Sequence, residues 1–252
     1  MCGIFAYFGK SAEAPAIVIE GLKKLEYRGY DSWGIAYMTK ASIIVHKEVG
    51  KISDSKNKKF VKSHIAMGHS RWATHGKVNK NNAHPHFSKK KEVFVVHNGI
   101  IENFLELKEE LKKDKVKFIS ETDTEIIVHL IEKYLNWGPE IAFKKALARL
   151  EGRFAVVAFV QSERKIFAAR KGSPLIVGIG KQELFLASDI PAFLEKTNQV
   201  SYLDDNEMLI IDEQGIVFKN FIKEIEVEKR VVKIEWEAED AEKGDFDHFM
   251  IK

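Results

Sequence analysis

The sequence predicts an α+β protein in which antiparallel sheets are packed by segregated helices, and three observations carry that prediction. Apolar runs of strand length recur up to residue 97. Two helical patterns then follow one another directly between Thr122 and Leu150. From Phe154 onward the pattern returns to short β runs divided by turn residues. Strands, then consecutive helices, then strands do not make the repeating βαβ unit of a parallel sheet.

Each element has its own local reason. Residues 3–8 are apolar at both parities and short, which suits a strand buried on both faces. Pro15 opens a helical pattern with Ile17, Gly21, Leu22 and Leu25 on one face, and Tyr27-Arg28-Gly29 ends it. Residues 35–38, 43–47, 65–69 and 93–97 read as further strands, with a long polar connection over 76–91. Phe104, Leu107 and Leu111 form the stripe of a helix over about 102–113. Thr122 and Glu125 make an S/T-x-x-E capping box before Ile127, Leu130, Ile131 and Tyr134, and Gly138-Pro139 stops that run. A further helix over about 139–150 is closed by Gly152. The later strands fall at 154–160, 165–169, 174–179, 183–187, 208–212, 215–219 and 231–235, with one short helix at 191–196. Residues 235–252, acidic and then mixed, read as a tail or linker.

Composition narrows the function classes. A chain of 252 residues with 45% hydrophobic residues can bury a substantial core. A net charge of +3 gives little support for nucleic-acid binding, and the lysine clusters at 56–62 and 89–91 lack interleaved aromatic residues, so they read as solvated loops. No stretch approaches the roughly 20 apolar residues of a membrane span, and no signal sequence is visible. The single cysteine excludes an internal disulfide and fits a reducing compartment, so the expected location is the cytoplasm.

That cysteine is Cys2, directly after Met1. Loss of the methionine leaves a thiol and a free α-amine on one residue. With reference pKa values of about 8.5 and about 7.7–8.0, the amine can take the thiol proton near neutral pH. This is the arrangement of an N-terminal nucleophile that carries its own base. A buried structural cysteine at the second position is the alternative.

Four polar clusters interrupt the strand and helix pattern at element ends: 26–32 (EYRGYDS), 69–76 (HSRWATHG), 97–103 (HNGIIEN) and 120–125 (SETDTE). A thiolate attacking an amide needs oxyanion donors, which the Asn98 side chain and the Gly99 N–H can supply, although Asn-Gly is equally a tight-turn dipeptide. An amino-acid substrate needs a cation and an anion. Arg71 can fork two bonds to a carboxylate, and Asp123 can meet an ammonium, while a surface arginine and a first-turn carboxylate are the ordinary alternatives. Thr74 and the backbone around His75 can hold the rest. His84-Pro85-His86 can place two imidazoles on one face, as in a metal site, but no carboxylate or cysteine stands at ligand spacing beside it. Buried, hydrogen-bonded histidines are the preferred reading, and no metal is expected.

These clusters, together with M-C-G-I at 1–4 and N-A-H-P-H at 82–86, resemble one family in its own order: the glutaminase domain of glutamine–fructose-6-phosphate aminotransferase, or glucosamine-6-phosphate synthase. M-C-G-I and H-N-G are shared with other class II amidotransferases, whereas E-Y-R-G-Y-D-S, R-W-A-T-H-G and S-E-T-D-T-E are more specific. The resemblance implies an N-terminal-nucleophile hydrolase fold, a four-layer αββα sandwich of two antiparallel sheets between helix layers. It implies that Cys2 forms a γ-glutamyl thioester with L-glutamine, with Asn98 and Gly99 as the oxyanion hole. Arg71, Thr74, His75 and Asp123 then hold the glutamine, Arg28 and Gly29 position the N-terminal residue, and Trp72 closes over the site. No cofactor is implied.

Two departures stand out. Trp33 occupies a position where the family carries Ala or Gly, with a possible effect on packing beneath the site, and Ser70 replaces the usual Thr. The stretch 243–250 resembles the segment leading into a sugar-phosphate isomerase half that binds fructose 6-phosphate. The resemblance therefore divides the chain into a glutaminase domain over 2–235 and a linker over 236–252. Alone, such a chain is expected to hydrolyse glutamine without making a sugar product. A homodimer is compatible with the family, and the rival acceptor for the ammonia is phosphoribosyl pyrophosphate. A non-catalytic glutamine-binding module is the alternative outside enzymes.

Overall fold

The computed structural model describes residues 2–55 and 59–235. In chain order the elements are β1 (Gly3–Gly9), α1 (Ala14–Lys24), β2 (Ser32–Met38), β3 (Ile43–Val49), β4 (Ile65–Arg71), β5 (His86–Phe87), β6 (Val93–Ile101), α2 (Phe104–Lys113), α3 (Thr124–Tyr134) and α4 (Pro139–Leu147). There follow β7 (Gly152–Val160), β8 (Ile166–Lys171), β9 (Ile176–Ile179), β10 (Glu183–Ala187), β11 (Gln199–Tyr202), β12 (Glu207–Asp212), β13 (Gly215–Asn220), β14 (Ile225–Glu226) and β15 (Val232–Lys233). One sheet has the order β15-β11-β9-β10-β1-β4-β2-β3 and the other β14-β13-β12-β8-β7-β6-β5. The strand pairs of both sheets are antiparallel.

The layers follow from side-chain parity. In β1, Ile4 and Ala6 point one way, with Ala36 and Met67, and meet Val96, Val157, Phe159 and Leu209 of the second sheet. Phe5 and Tyr7 point the other way and pack under Val18 and Leu22 of α1. The second sheet repeats the division, with Val95, Val156 and Phe167 facing Ile127, Leu130, Phe143 and Leu147 of the helices. Three cores between four layers give the αββα sandwich. A one-residue slip of β1 would exchange both sets, and each buried Ile or Phe is worth about 1.5–3 kcal/mol, so the register is firmly set.

Several expectations are corrected. The S/T-x-x-E signature does not close a capping box, because α3 starts at Thr124 and its N-cap makes no side-chain bond. The Glu125 carboxylate instead accepts the Ile119 N–H at 2.8 Å and the Ser120 N–H and hydroxyl at 2.6 Å each, tying down the approach to the helix. The helix expected at 191–196 is a single 3₁₀ turn, Ile190–Ala192, and the strand expected at 231–235 shrinks to β15. β6 runs straight through Asn98-Gly99, so this dipeptide is not a hairpin turn. Trp33 is buried in the core beneath α1, on the face of β2 opposite the inter-sheet core, so its indole does not lie under the site. Residues 236–252, expected as a linker, lie outside the described residues. No helix among the described residues is long and apolar enough to cross a membrane.

Candidate active site

Cys2 precedes β1, a central strand, and has the parity of Ile4 and Ala6, so its side chain belongs to the end of the inter-sheet core. Arg71 is the last residue of β4, next to β1, and His69 lies two residues before it on the same face. From the opposing sheet, β6 brings Asn98 to this end of the sandwich. The Trp72 N–H donates to Cys2 Sγ at 3.2 Å, and the thiol reaches the Trp72 carbonyl at 3.4 Å. Burial pushes the Cys2 thiol up, opposed by the Trp72 N–H and by the nearby guanidinium groups of Arg71 and Arg28. The sulfur therefore keeps its proton near neutral pH.

The Cys2 carbonyl is held from two sides, by Arg28 Nε at 3.1 Å and Asn98 Nδ2 at 2.9 Å. Arg28 is itself fixed by Asp189, whose carboxylate accepts Arg28 Nη1 at 3.1 Å and the Tyr27 hydroxyl at 2.7 Å. Gly29 lets the backbone of 70–72 pass close by, because a Cβ there would stand 2.7 Å from the Arg71 carbonyl carbon and 2.8 Å from the Trp72 nitrogen. Gly99 is more demanding still. Its φ is +123°, and a Cβ would meet the Arg153 carbonyl oxygen at 1.9 Å, so only glycine fits.

A small pocket opens beside the thiol. Cys2, Arg71, Trp72, Thr74, His75, Gly99 and Asp123 line it, with His84, His97, Thr122 and Thr124 at its back. Its free space, about 20 Å³, holds about one water molecule. The Arg71 guanidinium fills the neighbourhood by donating to the main-chain carbonyls of His75, Gly76 and Lys77. Glu121 anchors the same loop by accepting the Lys77 N–H at 3.0 Å and Asn82 Nδ2 at 2.8 Å. Asp31 accepts the Ala73 N–H at 2.6 Å. Trp72 is 44% exposed and leans on Tyr30, with ring centroids 5.3 Å apart. Asp123 uses one oxygen to accept the Ile101 N–H at 2.9 Å.

Of the residues singled out by sequence, Asn98, Arg28 and Gly29 lie behind Cys2 rather than in the pocket wall, and the other seven form the wall. Sequence reading missed Ser188 and Asp189. The Ser188 hydroxyl accepts the Ile4 N–H and Asn98 Nδ2, both at 2.8 Å. The only local signal was an Asp before Ile190-Pro191, and that carboxylate does accept the Ile190 N–H.

The histidines are structural neighbours of the site. His84 Nε2 and His97 Nδ1 each lie 2.9 Å from the Thr124 hydroxyl, and His86 Nε2 lies 3.1 Å from that of Thr122. Among the described residues no group of three or more His, Cys, Asp or Glu is placed to hold a metal ion.

Residues 43–229 match the glutamine amidotransferase domain family. The chain belongs to that family. This amidotransferase domain is 48% identical over 258 residues to the glutamine–fructose-6-phosphate aminotransferase (isomerizing) of Pyrococcus horikoshii, covering 100% of this chain and 43% of the relative. The enzyme of the same name from Aquifex aeolicus is 48% identical over 256 residues, with the same coverage. The amidotransferase domain thus spans less than half the length of these relatives. Among solved structures, the glutamine phosphoribosylpyrophosphate amidotransferase of B. subtilis superposes with a TM-score of 0.75 at 28% identity, covering 87% of this chain and 49% of that one. A structure described as the allosteric regulatory enzyme of purine biosynthesis gives a TM-score of 0.78 at 29% identity, with the same coverage. The amidotransferase domain therefore has the N-terminal-nucleophile hydrolase architecture expected from its motifs.

Proposed function

We propose that this domain, once Met1 is removed, hydrolyses L-glutamine to glutamate and ammonia with Cys2 as the nucleophile. The observation that carries the reading is the thiol at the mouth of a pocket walled by Arg71 and Asp123. A thiol whose pKa is raised by burial needs a base, and removal of Met1 would free an α-amine on the same residue to serve as one. The thiol proton passes to this amine as Sγ bonds to the side-chain carbonyl carbon of glutamine. The oxyanion so formed draws on Asn98 Nδ2 and the Gly99 N–H. Arg28 Nε keeps the Cys2 carbonyl satisfied while Asn98 turns a hydrogen toward that charge.

Collapse then breaks the carbon–nitrogen bond. The ammonium proton moves to the leaving nitrogen, ammonia departs, and a thioester remains. Water attacks the thioester, giving its proton back through the amine to sulfur, and glutamate leaves. The substrate carboxylate displaces the loop carbonyls from Arg71, a charge-assisted fork in exchange for neutral acceptors. Asp123 offers its second oxygen to the substrate ammonium, Thr74 and His75 hold the remainder, and Trp72 covers the pocket.

The relatives named glutamine–fructose-6-phosphate aminotransferase support fructose 6-phosphate as the acceptor of the ammonia, through an isomerase half beyond this domain. The test is ammonia release by the Met1-processed chain, with processing verified by intact mass. Cys2→Ala is expected to abolish release and still bind glutamine. Release at the wild-type rate from that variant would refute the nucleophile. Added isomerase half and fructose 6-phosphate should yield glucosamine 6-phosphate.

A further inference from the structure

The two ends of an asparagine amide are nearly the same shape, so the direction in which Asn98 presents its NH₂ group must be set by its partners. His69 Nε2 lies 2.9 Å from Asn98 Oδ1 and 3.0 Å from the main-chain carbonyl of His97. A carbonyl oxygen only accepts, so Nε2 must carry the hydrogen. Given that hydrogen, the Asn98 atom facing His69 has to be the oxygen. The NH₂ group then faces the Cys2 carbonyl at 2.9 Å and the Ser188 hydroxyl at 2.8 Å. A flipped amide would set N–H against N–H at His69 and oxygen against oxygen at Cys2.

We propose that His69, as a neutral Nε2–H imidazole, is the positioning residue that keeps the Asn98 NH₂ on the Cys2 side, from which one hydrogen can turn to the oxyanion, with Ser188 closing the opposite side. This deepens, and rests on, the reading of Asn98 as an oxyanion donor. His69 is fully buried, stacks on His84 with centroids 4.0 Å apart, and has His86, His97 and Arg71 as further titratable or charged neighbours. Burial pushes its pKa down to about 3, and its Nδ1 meets no hydrogen-bond partner among the described residues. A second ring proton would be stranded there, so the donor at Nε2 is the one stable form through the working pH range.

Two measurements test the proposal. In ¹⁵N-labelled wild-type protein, the His69 ring should show protonated Nε2 and bare Nδ1, unchanged between pH 5 and 8. Protonated Nδ1, or titration inside that window, overturns the proposal without any mutation. In the second, His69→Leu should lower kcat by between about tenfold and the roughly hundredfold loss that follows removal of a whole oxyanion donor, with little change in KM for glutamine. His69→Gln, which restores a donor, should recover most of it. In the Asn98→Ala background, His69→Leu should cost nothing further. An additive loss in that background, or a loss that appears in KM, assigns His69 a general structural role and overturns the proposal. Absence of ammonia release from processed wild-type protein would instead sink the glutaminase reading, leaving His69 to be judged by its tautomer.

Discussion

Acidification should weaken this fold well above the range in which carboxylates titrate. Burial pushes His84 and His86 far below the ordinary imidazole value and His69 to about 3. Neighbouring imidazoles push in the same direction, joined by Lys47 at His84 and His86 and by Arg71 at His69 and His86, while the hydrogen bonds of His69 and the Glu125 carboxylate beside His86 oppose them. In the unfolded chain each imidazole titrates near 6.5. The folded pKa lies below the unfolded one, so the unfolded state binds more protons between the two values. Stability is therefore complete above about pH 6.5 and lost as pH falls toward the folded pKa. For one histidine that stays neutral when folded, going from pH 7 to pH 5 costs about 1.9 kcal/mol, and the three together about 6 kcal/mol as an upper limit. Against a typical stability of about 5–15 kcal/mol this is a large loss. Glutamates contribute little here, since their unfolded pKa of about 4.3 lies below the window. Urea unfolding at half-unit steps should give a slope near 4 kcal/mol per pH unit at about pH 5.5, or about 2.7 protons taken up on unfolding. A slope below about 1.4 kcal/mol per unit, the value for a single group, would refute the neutral burial of this cluster.

Three further outcomes follow from the geometry. Gly99→Ala should abolish glutaminase activity and lower the melting temperature, because its Cβ would stand 1.9 Å from the Arg153 carbonyl oxygen; a stable, active variant in thermal melts and ammonia assays would contradict this placement. Asp123→Ala should raise KM for glutamine more than it lowers kcat, since an ammonium is held equally in ground and transition states; steady-state kinetics showing a kcat loss at constant KM would count against the assignment. Trp33→Ala should cost about 3–5 kcal/mol in denaturant unfolding while the folded fraction keeps kcat within about twofold, because the indole packs under α1. A kcat collapse in fully folded protein would mean that this side chain does reach the site.

Much of the fold was legible because burial leaves a signature in local sequence. Residues 3–8 are apolar at both parities, and β1 is indeed covered on both faces. Phe104, Leu107 and Leu111 marked α2, and Pro139 opens α4. β11 escaped notice because it is four residues long with both ends, Gln199 and Tyr202, exposed and only Val200 and Ser201 buried, which leaves no alternating pattern. β5 and β14 are two residues long, too short for any periodicity. In the site, Cys2, Arg71 and Asp123 were recognisable as chemistry-bearing types beside strand ends and helix starts. Ser188 was not, because a serine declares nothing until a partner 90 residues away is folded against it. The role of His69 depends likewise on Asn98, 29 positions on. Asn98-Gly99 carried the signal of a turn, and only its pairing with Ala155 and Phe154 shows it to be strand.

β1 ties the direction of the Cys2 sulfur to residues that lie outside the pocket wall. Ile4 and Ala6 seek the space between the sheets while Phe5 and Tyr7 seek the helix, and Cys2 inherits its aim from that choice. Inserting a single amino acid between Gly3 and Ile4 would leave those preferences intact yet turn the thiol toward the opposite layer. Ordinary hydrocarbon on the two faces of β1 thus sets the aim of the sulfur.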